Sequence, residues 1–342
     1  MNHSLGVRRR AVAGCVVLIV ALCALVVAPV SSAGKPKKPG SDYLALGDSL
    51  AYGYQAAKFF SEYPNVDEST FDTGYVDVFG SDLGHEKKKK GKKKDRPAVT
   101  NFGCPGETSD SFIQGGRSPL TFGTFVPNPL FCGDQPASDV GAIFSKGWLH
   151  DTYPGSQLDA ALAFLAENHH TNPITLDIGA NDTLVFLEQC GFGAVPGCIT
   201  PASIGALYAH IAGNVATIVT ALRAAAPKAE ILVLGLYNPY PTVLPGGDAV
   251  TKQLNATLES VVTGLGARFA DPLPVFNPAS VSGGSETGDL ASICLLTNMC
   301  PGGIFNPASP FADIHPTDAG YEALAEVIEN ASSFGSKHGH GH

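Results

Sequence analysis

Basic residues are scarce over most of this 342-residue chain. Outside an N-terminal arginine cluster and two lysine-rich stretches, eight Lys and Arg face 29 Asp and Glu, a balance of about −21. Such a body repels polyanions, which argues against nucleic acid as a partner. No C-x-x-C pair occurs and no histidine stands at ligand spacing from a cysteine, so no metal site is expected. A G-x-S-x-G elbow is missing, which counts against the α/β-hydrolase fold. The first strand-like run opens into no Ser/Thr-rich phosphate cradle, so neither a flavin nor any other cofactor is expected. No internal repeat is evident.

What is present begins with an export pattern. Arg8, Arg9 and Arg10 precede an apolar run over residues 11–30, and the small residues Ser31, Ser32 and Ala33 follow. Residues 1–33 read as a secretory signal cleaved after Ala33; the run is also close to membrane-spanning length, which leaves an uncleaved anchor as the alternative. Val12-Ala13-Gly14-Cys15 resembles a lipoprotein box, but it precedes the apolar region instead of following it. Cys15 and Cys23 fall in this leader, leaving Cys104, Cys132, Cys190, Cys198, Cys294 and Cys300. An even set fits disulfides in an oxidising compartment, hence a secreted protein. Short separations suggest Cys190 with Cys198 and Cys294 with Cys300, leaving Cys104 for Cys132.

Residues 34–41 read as a linker and residues 336–342, rich in His and Gly, as a flexible tail. An insertion at residues 86–96 holds a lysine tract bounded by Lys87 and Lys94. A charge run of this kind is a solvated loop in the simplest reading; the alternative is weak contact with an anionic surface such as wall polymer or lipid headgroups.

Elsewhere strand-like and helical patterns alternate. Apolar runs mark strands at residues 43–46, 98–102, 174–179, 230–236 and 267–271. Helical patterns occupy 156–170, 203–227, 248–266 and 317–334, the last capped by Thr317 or Asp318. The alternation implies βαβ units and a parallel sheet covered on both faces, one three-layer α/β domain over residues 42–335. Three segments, 107–155, 183–200 and 272–312, read as long loops. The first carries Phe112, Phe122, Phe125, Phe131, Phe144 and Trp148, which either pin it to the body or wall an apolar groove.

The stretch YLALGDSLAYGY, residues 43–54, runs a buried type of strand into Gly47, Asp48 and Ser49. The hydroxyl then sits at the C-terminal end of a strand, the edge where open α/β sheets bind ligands. Taken alone this is also an ordinary turn and helix cap. A nucleophilic serine needs a base, a partner that orients the base, and donors for the oxyanion. FADIHPTDAGY puts His315 in a loop before a helix, with Asp313 close enough in sequence to hold its Nδ1 proton. His169, His170 and His210 lie at or in helical patterns and fit structural roles better. Gly106 in NFGCPGETS and Asn181 in DIGAND leave two further strands, one offering a backbone N–H and the other a side-chain amide.

In this order, Gly47-Asp48-Ser49-Leu50, Gly106, Gly179-Ala180-Asn181-Asp182 and Asp313 with His315 resemble the four blocks of the SGNH hydrolases, also called the GDSL esterase and lipase family. The blocks span residues 43–325. The resemblance implies a flavodoxin-like parallel sheet of about five strands. It also implies Ser49 as nucleophile, His315 as base, and an oxyanion hole from the N–H groups of Ser49 and Gly106 with the Asn181 amide. The substrate implied is a small-molecule or lipid carboxylic ester, and the chain is expected to act as a monomer. One departure stands out. The family's aspartate usually lies three residues before the histidine, where this chain has Ala312, so either Asp313 orients His315 or a backbone carbonyl does. The loop aromatics favour an acyl chain over the acetyl groups of a wall or plant carbohydrate. A non-catalytic surface-binding protein is the reading from another class, opposed by the intact residue set.

Overall fold

The computed structural model of the protein describes residues 40–83, 96–115, 149–243, 246–309 and 312–334. The leader, the lysine tract, the tail, Cys132, and the aromatics Phe122, Phe125, Phe131, Phe144 and Trp148 lie outside the described residues.

The five apolar runs form one sheet: β1 (Asp42–Gly47), β2 (Ala98–Asn101), β3 (Thr171–Asp177), β4 (Ile231–Leu234) and β5 (Arg268–Ala270). All neighbours are parallel, in the order β2-β1-β3-β4-β5. The connections carry α1 (Ser49–Tyr52), α2 (Ala56–Glu62), α3 (Tyr75–Asp82), α4 (Ser109–Gln114), α5 (Gln157–Glu167), α6 (Ala180–Gln189), α7 (Pro201–Ala225) and α8 (Gly247–Gly264). After β5 come the short helices α9 (Leu273–Phe276), α10 (Pro278–Val281) and α11 (Leu290–Leu296), an antiparallel pair β6 (Thr297–Asn298) and β7 (Asp313–Pro316), and α12 (Asp318–Ala331).

The period of two along each strand builds the layers. Leu44, Leu46, Ile174, Leu176, Ile231 and Val233 face α5, α7 and α8, which present Leu158, Leu165, Ile211, Val215, Leu254 and Leu258. Tyr43, Ala45, Leu232, Leu234 and Ala270 face α3 and α12, which present Tyr75, Phe79, Tyr321, Leu324 and Ile328. Both faces are therefore dry over the central strands β1, β3 and β4, while edge strand β2 is largely exposed, and each fully buried Leu or Ile contributes about 1.5–3 kcal/mol. The order reverses between β1 and β3, so the carboxyl ends of these two strands border the crevice of the fold.

Three segments depart from the sequence reading. Residues 183–189 continue α6, and of the segment 272–312 the residues 273–298 carry α9, α10, α11 and β6. His315 sits in β7 rather than in a loop. Phe112 is buried in the core.

Candidate active site

At the end of β1 the backbone of Gly47 takes a φ of +143°, and a Cβ there would collide with the Asp177 carbonyl. Only glycine fits both demands. The turn that follows is held twice by carboxylates. Asp48 N–H donates to Asp177 Oδ2 at 3.1 Å, and Asp48 Oδ1 accepts Leu50 N–H at 3.0 Å, capping α1. Ser49 is thus the first residue of a helix, 8 % exposed.

Asp313 and His315 approach from the other side. Extended backbone puts residues two apart on one face, so a spacing of two brings both side chains together. Asn298 Nδ2 donates to the carbonyls of His315 and Pro316, each at 3.1 Å, and Tyr237 Oη donates to Ile314 O at 2.7 Å. His315 Nε2 lies 2.8 Å from Ser49 Oγ, and its Nδ1 hydrogen-bonds Asp313 Oδ1. The other carboxylate oxygen, Oδ2, accepts Ala56 N–H at 2.8 Å. Burial works to raise the Asp313 pKa, but the charge and hydrogen bonds of His315, with the Ala56 N–H, outweigh it and hold the carboxyl below its ordinary value. The Tyr54 ring stands edge-on to the imidazole, centroids 4.7 Å apart.

Gly106 follows β2 with a φ of +83°, and Asn181 lies in the first turn of α6 beyond β3. The structure thus brings Ser49, Asn181 and His315 to one edge with the Gly106 loop beside them. The Asn181 amide is engaged: Nδ2 donates to Glu107 O at 2.9 Å and to Asp48 Oδ2 at 3.2 Å. A ligand that reaches this amide competes with Asp48. Behind the edge, burial pushes the carboxyls of Asp48 and Asp177 above their ordinary range. Burial also raises Glu107, to about 7.

Asp110, Asp182 and His210 also cluster, with ligand-type atoms within 4.8 Å of one another. Their oxygens are taken up locally. Asp182 accepts Ser109 N–H at 2.9 Å and Ser109 Oγ at 2.5 Å, while Asp110 meets His210 Nε2 at 2.8 Å and Asn214 Nδ2 at 3.0 Å. Asp318 does not merely stabilise a helix start, as its place in sequence suggests. Its Oδ1 accepts from Gln55 at 2.7 Å, Lys58 at 2.8 Å and Thr73 at 2.9 Å, and Thr317 is the cap of α12.

A cavity of about 180 Å³ opens from Ser49 and His315. Its walls are Leu184 and Leu187 of α6, Ile204, Leu207 and Tyr208 of α7, Val250 and Leu254 of α8, and Leu236 and Tyr240 after β4. The apolar space is therefore walled by helices and the β4 turn. Cys190 is bonded to Cys198 and Cys294 to Cys300, with Cα separations of 5.4 and 5.1 Å. Cys104 is buried and disulfide-bonded.

Sequence reasoning passed over Tyr54, the Ala56 N–H, Asn298 and Glu107. Tyr54 closes the YLALGDSLAYGY stretch itself and Glu107 follows Gly106 directly, so proximity to the motifs was the signal available for both.

No curated protein sequence matches this chain. Among solved structures it is similar to phospholipase A1 from Streptomyces albidoflavus, at 16 % identity and a TM-score of 0.48 over 86 % of this chain and 100 % of that one. It is likewise similar to an extracellular lipase from Streptomyces rimosus, at 16 % identity and a TM-score of 0.48 over 85 % and 100 %. An acetylxylan esterase from Geobacillus stearothermophilus is similar at 14 % identity and a TM-score of 0.47, over 88 % and 97 %. Residues 45–323 match the model of the GDSL-like Lipase/Acylhydrolase family, and the chain belongs to that family as a serine ester hydrolase.

Proposed function

We propose that the protein hydrolyses carboxylic esters with an aliphatic acyl chain of roughly six to eight carbons, through an acyl-serine intermediate. The apolar cavity against Ser49 and His315 carries this reading. A cavity of about 150 Å³ in another protein takes up benzene, with six carbons, so this one suits a chain of that size or up to about two carbons more. An acetyl group would leave it largely empty.

In the proposed reaction, Ser49 Oγ attacks the ester carbonyl as His315 Nε2 takes its proton. Asp313 holds Nδ1–H and keeps the ring in that tautomer. The carbonyl oxygen becomes an oxyanion, met by the N–H groups of Ser49 and Gly106 and by the Asn181 amide, which exchanges Asp48 Oδ2 for it. The alkoxide leaves with the proton from His315. Water then attacks the acyl-serine, gives its proton to His315, and the acid departs as Ser49 recovers a proton.

Initial rates on nitrophenyl esters of graded acyl length test the reading. The optimum is expected at roughly six to eight carbons. A maximum at acetate, with turnover of acetylated xylan, would replace it with a carbohydrate acetylesterase.

The same reading takes residues 42–335 as the mature hydrolase domain, exported after cleavage at Ala33. The arginine cluster, the apolar run and the two bonded cysteine pairs support export. N-terminal sequencing of protein from the culture medium should begin at Gly34.

A further inference from the structure

Gln157 opens α5 and is 1 % exposed, 110 residues away in sequence from the turn it touches. Its amide takes both polar groups of Gly47. Gly47 N–H donates to Oε1 at 2.6 Å, and Nε2 donates to Gly47 O at 3.0 Å. The paired register between β1 and β2 ends at Ala45, and beyond it Gly47 O accepts Cys104 N–H at 3.0 Å as well as the Gln157 amide, so the side chain joins a backbone partner at this peptide and, among the described residues, alone takes its N–H. Nε2 also reaches Tyr153 Oη at 3.2 Å and Glu107 Oε2 at 3.3 Å. Glu107 follows Gly106, and its carbonyl accepts the Asn181 amide. One side chain is thus tied to the residue before the Asp48-Ser49 turn, to the Gly106 loop, and through Glu107 to Asn181.

We propose that Gln157 is a positioning residue that sets the distance between Ser49 and the oxyanion donors by clasping the Gly47 peptide and the Glu107 side chain together. The inference rests on Ser49 as the nucleophile. Glutamine suits the task because the clasp needs an acceptor for Gly47 N–H and donors for Gly47 O and Glu107 on one planar group. Leucine fills the same space with neither. Glutamate supplies an acceptor and one donor when protonated and no donor when ionised.

The test is kinetics of Gln157→Leu and Gln157→Glu in the full chain on a nitrophenyl ester of medium length. Displacing a reacting group by about 1 Å costs about 10²-fold, so Gln157→Leu is expected to lower kcat by about 10- to 100-fold with KM within about threefold. For Gln157→Glu, kcat relative to wild type is expected to rise as pH falls from about 8 to about 5.5, because the neutral acid restores the Gly47 pair. The titratable groups facing position 157 are Glu107 and Tyr153, with Asp177 on the neighbouring strand, and they are common to wild type and variant. An unchanged kcat in Gln157→Leu, a loss confined to KM, or a loss equal to the unfolded fraction overturns the proposal. A flat pH ratio for Gln157→Glu also overturns it, and decides the matter alone if Gln157→Leu does not fold. Ser49→Ala, run alongside, separates the two readings: turnover surviving there sinks the nucleophile assignment, whereas a dead Ser49→Ala beside a fully active Gln157→Leu sinks only the clasp.

Discussion

Among the described residues, the hydrogen bonds to the Asp313 carboxylate all come from donors: Nδ1–H and the backbone N–H of His315 at Oδ1, and the Ala56 N–H at Oδ2. An amide at this position must turn an N–H against one of them, leaving a buried donor unmatched or forcing the ring into the wrong tautomer. Asp313→Asn is therefore expected to lower kcat by about 10⁴, the size of the comparable loss in a serine protease. Asp318→Asn should be nearly silent in kcat and cost less than about 1 kcal/mol, since its ion pair with Lys58 is partly exposed. Side-by-side kinetics and denaturant melts check both, and a large kcat loss at Asp318 with none at Asp313 would reverse the assignment. The sequence could name Asp313 and His315 but could not choose between a carboxylate and a carbonyl as partner for the ring. That choice turns on whether the backbone is extended, and β7 is so short, paired only with Thr297 and Asn298, that no local pattern announces it. The clasp of Gln157 and the double engagement of Asn181 were illegible for another reason: both join residues more than 70 positions apart through side-chain atoms.

At the scale of elements, the strands were legible as short runs between helical patterns, most plainly β1 and β4, whose alternate apolar residues meet different helix layers. Their order was not in the residues; it came with the family resemblance. The continuation of α6 was missed because its wall-forming residues Leu184 and Leu187 face a cavity rather than a packed core, so the usual buried stripe is absent. Cys190 caps the end of α6, and Cys198 lies just before Thr200, the cap of α7. The disulfide between them joins α6 and the start of α7, two walls of the cavity beside Ser49. Replacing both cysteines by serine is expected to cost about 2 kcal/mol and to weaken the preference for medium over acetyl esters. Denaturant melts and the chain-length profile check this, and an unaltered profile would show that the disulfide does not shape the cavity.

Across the whole molecule, buried carboxyls set how stability varies with pH. Burial raises Glu107 from 4.5 to about 7, against hydrogen bonds that favour its charged form. Below the lower value Glu107 keeps its proton in the folded and unfolded chain alike. As pH rises from there the unfolded chain releases it while the folded chain retains it, so stability falls until about pH 7 and is then lower by roughly 3 kcal/mol. Asp313 runs the opposite way: its depressed pKa adds stability above the ordinary carboxylate range, lost as pH falls through the folded value. Glu107→Gln should therefore match wild type near pH 4.5 and exceed it by up to roughly 3 kcal/mol at pH 8 in denaturant melts. An equal difference at both pH values would contradict the assignment of the shift to this carboxyl. All of this serves one arrangement, a hydroxyl at a sheet edge with an imidazole at 2.8 Å and an apolar cavity beside it. The most direct test is to treat the active protein with a hexyl nitrophenyl phosphonate and map the adduct by peptide mass. The expected result is a single phosphonyl group on Ser49 with activity lost in proportion; an adduct on another serine, or full labelling of Ser49 with turnover intact, would contradict the central claim.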